Sequence, residues 1–126
     1  MALFPCSSGS SDMESPSTQP TVTYTGTDAQ SHTVTVNFYK MGDLKIVKLA
    51  LTKFPVGTSG DGGQVILSGS FPTGYEPNGT TYFVGCTNNT KYRAGVAQKS
   101  GTNGLIRIYY SASDTDGGFF GTCIYI

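Results

Sequence analysis

The chain carries one imidazole, His32, and no tryptophan among its 126 residues. Nucleophilic catalysis needs a nucleophile, a base and a group that orients the base. His32 stands in register with Val34, Val36 and Phe38 of an alternating run, so it reads as a structural residue of a strand. No Gly-x-Ser-x-Gly elbow is present. Asp114 and Asp116 lie two apart in Ser111–Gly118 and could face one way from an extended segment, as paired carboxylates for glycoside cleavage. With Asp61 they also suggest calcium, but the EF-hand pattern is incomplete. An Asp- and Gly-rich stretch between strands is foremost a turn, because Asp hydrogen-bonds its own backbone. The glycines from Gly57 to Gly63 lack the Lys-Ser/Thr of a phosphate loop. The sequence therefore predicts no catalytic residue, no metal, no cofactor and no enzyme.

The cysteines, Cys6, Cys86 and Cys123, are odd in number and widely spaced. A disulfide framework wants an even count and a zinc site wants Cys-x-x-Cys pairs. Free thiols in a reducing compartment are expected. Lys plus Arg and Asp plus Glu are 8 each, giving zero formal charge, which argues against a phosphate-binding nucleic-acid partner. No apolar run approaches the ~20 residues of a membrane helix. The opening MALFPCSSGSSD has neither basic nor apolar leader regions, so no secretory leader is predicted. The Asn78-Gly79-Thr80 and Asn88-Asn89-Thr90 acceptor triplets are then chance matches.

Any surface these residues form must be positioned by strands. Residues 1–20 are rich in Ser, Pro, Thr and Gln without periodicity and predict an extended arm. Leu3, Phe4 and Cys6 make an apolar patch on that polar tether and are its candidate anchor. Residues 21–126 form the second unit. Thr21–Thr25 is a β-branched run, and Ser31–Tyr39 alternates with period two, as a half-buried antiparallel strand does. A turn at Lys40–Asp43 leads into a return strand over Leu44–Phe54. Further strands are predicted over 64–71, 80–87, 92–99, 105–110 and 119–126, with Gly95 at a bulge. About eight short strands separated by turn signals predict an all-β, antiparallel sandwich or jelly-roll-like domain.

Several strands are apolar on both faces. Phe120, Ile124 and Ile126 oppose Phe119, Cys123 and Tyr125; Tyr82, Val84 and Cys86 oppose Phe83. Val47, Leu49 and Leu51 oppose Ile46, Ala50 and Phe54. The outer face of a solitary sheet should be polar, so a second buried surface is expected, with Phe119, Cys123, Tyr125 and Phe83 as interface candidates. Tyrosine and asparagine are residue types that read sugars and protein surfaces. Tyr75, Tyr92, Asn88, Asn89 and Asn103 are the ligand-surface candidates.

The segment Phe71-Pro-Thr-Gly-Tyr-Glu-Pro77 resembles one found in C-terminal β-domains of tailed-bacteriophage fibres and related virion appendages. The surrounding order is similar: an early Val-Thr-Val strand, a Gly-Asp turn, the Pro-Gly-Tyr-Pro turn, Gly104–Tyr109 and an apolar last strand. The resemblance implies a homotrimeric β-domain of a virion, assembled in the host cytoplasm and engaged in host attachment. With a short arm and no repetitive shaft, it points to a capsid decoration, head-fibre or fibre-tip module. The arm would dock on capsid or other virion proteins, and the β-domain would meet a host-surface glycan. A stand-alone carbohydrate- or receptor-binding module is the alternative, and a small glycan hydrolase is the third reading.

Overall fold

The computed structural model describes residues 13–25, 31–54, 63–68, 71–111, 114 and 117–126. Among the described residues eight strands occur: β1 Thr21–Thr25, β2 Ser31–Met41, β3 Leu44–Leu51, β4 Gly63–Ser68, β5 Thr80–Thr87, β6 Tyr92–Ser100, β7 Asn103–Tyr110 and β8 Phe119–Tyr125. All pair antiparallel in one curled sheet ordered β1-β2-β3-β8-β5-β6-β7-β4.

Local sequence sets the hairpins. Met41 pairs with Leu44 and Ser100 with Asn103, leaving two-residue loops that begin with Gly42 and Gly101 at φ 60° and 61°. Glycine at the first central position suits a type II′ loop, whose twist matches that of the strands. Gly95 makes no bulge; it pairs regularly with Phe83 and with Ile108. The strands predicted to end at Phe54 and Phe71 stop at Leu51 and Ser68, and both phenylalanines instead turn into the core.

The curl comes from small residues under large ones. Gly85 and Gly121 face each other across the β5–β8 seam, where only three residue pairs form. A Cβ on Gly85 would overlap the Phe119 ring, and a Cβ on Gly95 would overlap the Phe83 ring. These glycines leave room for both rings to lie against the backbone and let the sheet bend around them. The core inside the curl holds Phe38, Phe54 and Phe119, all fully buried. Each such side chain contributes about 1.5–3 kcal/mol by leaving water. Phe54 stacks on Tyr110 at 4.8 Å between centroids, and Phe38 meets Phe71 edge-on at 5.2 Å.

Two side-chain amides stand in for strand neighbours. Asn103 accepts from the Phe71 N–H at 3.2 Å and donates to its carbonyl at 3.0 Å. Gln19 does the same for Phe38, at 2.8 and 3.2 Å. Glu14 and Lys40 exchange backbone hydrogen bonds at 2.7 and 2.8 Å. Residues 14–20 therefore run along the edge of β2, where composition alone predicted a free arm; residues 1–12, with Leu3, Phe4 and Cys6, lie outside the described residues.

Gly85→Ala places a methyl group about 2.6 Å from the Phe120 carbonyl oxygen, which cannot move aside without breaking the seam. It should cost about 1–3 kcal/mol in urea unfolding. Gly79→Ala, with nothing within 4 Å of its Cβ, should leave the midpoint unchanged.

Candidate functional site

Strand alternation sends one set of side chains into the curl and the other to its outer face. On the outer face, Thr35 pairs with Ala50, Ala50 with Phe120, Phe120 with Cys86 and Cys86 with Tyr92. This row crosses five strands, from β2 to β6. An open groove of about 550 Å³ lies over the outer side of the three-residue seam, between β3 and the start of β6. Val84, Cys86, Ala50, Phe120 and Tyr92 line it, with Asn37, Lys48 and Thr122 supplying its polar groups. Tyr82, Tyr92, Val84, Phe120 and Ile124 are each more than half exposed, at 77%, 76%, 64%, 58% and 53%. Ile126 extends the patch past the end of β8 and is likewise exposed. Tyr92 also walls a second, shallow recess of about 220 Å³ with Arg93, Ala94, Tyr109, Tyr110 and Ser111.

The interface candidates are corrected by this arrangement. Phe119, Cys123, Tyr125 and Phe83 all face the core, and Tyr82, Val84, Phe120 and Ile124 on the opposite face of the same strands are exposed. Period-two alternation separates two faces but does not say which is inside when both are apolar. The deciding signal is the glycine pattern: Gly85 is two residues from Phe83 and Gly121 two from Phe119, so each glycine shares a face with a ring that needs its space.

The ligand-surface candidates divide. Tyr92, Asn88 and Asn89 are exposed, the last two on the β5–β6 turn, where Thr90 has φ 61°. Tyr75 is buried against Phe38, because Gly74 at φ 91° closes the Pro72–Tyr75 turn and swings the ring inward. Its carbonyl accepts from the Tyr125 hydroxyl, and Lys40 lies over its ring at 5.0 Å. Burial raises the pKa of both tyrosines. Asn103 is spent on the Phe71 backbone rather than displayed.

Asp114 is a structural anchor. Buried in the loop before β8, it accepts two hydrogen bonds from the Arg93 guanidinium and one from the Ser111 N–H. The Arg93 hydrogen bonds hold its carboxyl below the ordinary carboxylate range. Asp61 and Asp116 lie outside the described residues, and among the described residues no three His, Cys, Asp or Glu come together. His32 is buried at the start of β2. Burial pushes the Cys123 thiol up to about 11, whereas Cys86, partly exposed, lines the groove.

Because the folded pKa of Asp114 is depressed, its contribution is present above the unfolded value of ~3.9 and is lost as pH falls through the folded one. Asp114→Asn should cost about 2 kcal/mol at pH 7. The gap between variant and wild type in thermal melts should narrow progressively below about pH 4. Compared with protein-family models, with curated proteins and with solved structures, the chain matches none of them.

Proposed function

We propose that this chain is a non-enzymatic structural module of a bacteriophage particle, a small head-fibre, decoration or fibre-tip domain that works as a homo-oligomer. The observation that carries the proposal is the apolar outer face running from β8 across β5 to β6. A patch of Phe120, Ile124, Val84, Tyr82 and Tyr92 is costly to leave in water and inexpensive to cover with another copy. The resemblance of Phe71–Pro77 and its surroundings to virion β-domains supports the viral assignment and the trimer. On this proposal the curled sheet serves as a sandwich or jelly-roll-like unit. The halves β1-β2-β3-β8 and β5-β6-β7-β4 close over the Phe38–Phe71 and Phe54–Tyr110 contacts, which supports that description. The segment containing Leu3, Phe4 and Cys6 is the attachment element toward neighbouring subunits or the capsid.

A second reading, recognition of a host glycan, is favoured by one observation: Tyr92 stands exposed between two recesses, beside the Asn88–Asn89 turn. An aromatic face flanked by amides suits stacking on a sugar ring. On this reading Tyr92→Ala abolishes adhesion to host cells while leaving the far-ultraviolet spectrum unchanged.

Native mass spectrometry and light scattering test the main proposal. The wild-type chain should be an oligomer, with a trimer expected. Val84→Asp with Phe120→Asp should yield a folded monomer with an unchanged far-ultraviolet spectrum. A wild-type protein that remains monomeric at micromolar concentration overturns it.

A further inference from the structure

We infer that the groove on the outer face of one copy is the receptor for the Leu3-Phe4-Pro5-Cys6 segment of a second copy. The inference rests on the self-association proposed above and names the element that fills the groove.

Three observations carry it. The first is direction. Glu14 pairs antiparallel with Lys40, so the chain before it is aimed toward the Met41–Leu44 end of the β2–β3 hairpin. The groove on the same copy begins at Asn37, three residues or about 10 Å back along β2, behind the direction of exit. To fill the groove of its own copy, the segment before Glu14 would have to double back along β2. The second is reach: Phe4 lies ten residues before Glu14, a span of up to about 33–36 Å when extended. That is enough to cross a subunit boundary.

The third is chemistry. Residues 1–6 carry uncharged side chains, and the groove walls are Val84, Ala50, Phe120, Cys86 and Tyr92, with Lys48 the one charged side chain among the described residues. A groove of about 550 Å³ falls in the range of sites that take a few apolar side chains. The backbone of an inserted segment can find polar partners in Asn37 and Thr122 at one end. Occupancy by this segment also brings one thiol to another: Cys6 is in the segment, Cys86 is in the wall, and Cys123 is fully buried in the core.

That placement supplies the test. Full-length Cys6→Ala chains are mixed with full-length Cys86→Ala chains after dissociation and reassembly, then treated with diamide. The oxidant takes two electrons and two protons from a pair of thiols, leaving a disulfide and a hydrazine. In this mixture a bond between residue 6 and residue 86 can form only between copies. The expected result is a cross-linked dimer whose peptides map to Cys6 and Cys86, lost when Leu3 and Phe4 are both replaced by Asp. A 6–86 bond formed only within single wild-type chains overturns the inference, as does its absence from the mixture. A Cys86–Cys86 bond as the main product also overturns it, by placing two grooves face to face. Native mass of the untreated wild type separates the two levels. An oligomer without the 6–86 bond refutes this inference alone, and a monomer refutes the self-association beneath it.

Discussion

The β5–β8 seam is the constraint on which the rest of the molecule depends. Gly85 and Gly121 meet there with no side chains between them, and the Phe119 ring occupies the space they leave. Once that ring is inside, alternation fixes every other residue of β8: Cys123 and Tyr125 follow it inward, while Phe120, Thr122 and Ile124 turn out. The same holds on β5, where Phe83 goes in and Val84 and Cys86 go out. The core and the exposed apolar face are therefore two consequences of one packing choice. The groove lies over the outer side of that seam, lined by two of its three residue pairs.

Away from the seam, the ends of the sheet are held by polar side chains that imitate backbone. Gln19 and Asn103 each present an amide to both the N–H and the C=O of one phenylalanine, and those two phenylalanines pack on each other. A side-chain amide has the donor and acceptor spacing of a peptide group, so it satisfies a strand position without a strand. The Arg93–Asp114 pair does comparable work at the other end, fastening the loop before β8 to β6. These contacts commit the residues concerned to the scaffold, which is why Asn103, a candidate for recognition, is a fastener.

Much of the secondary structure was legible because its signals are local. The alternation of His32, Val34, Val36 and Phe38, the Gly42 and Gly101 turns and the Pro72–Pro77 punctuation each act within a few residues. The choice of inner face was legible in principle, from glycines two positions away from phenylalanines, but it requires reading residues as shapes rather than as apolar or polar. The Asn103–Phe71 and Gln19–Phe38 clamps span 32 and 19 residues, and no local pattern announces them. Tyr75 was misjudged because a left-handed Gly74 turns its ring into the core, although a tyrosine between two prolines looks displayed.

In the proposed assembly the outer face of β5 and β8 is covered by another copy. Hydroxyl-radical footprinting across a dilution series measures this side chain by side chain. The account predicts that Tyr82, Phe120 and Ile124 are protected in concentrated protein and become strongly labelled together on dilution, while Phe119 and Phe83 stay protected throughout. Equal, heavy labelling of the outer residues at every concentration would contradict it.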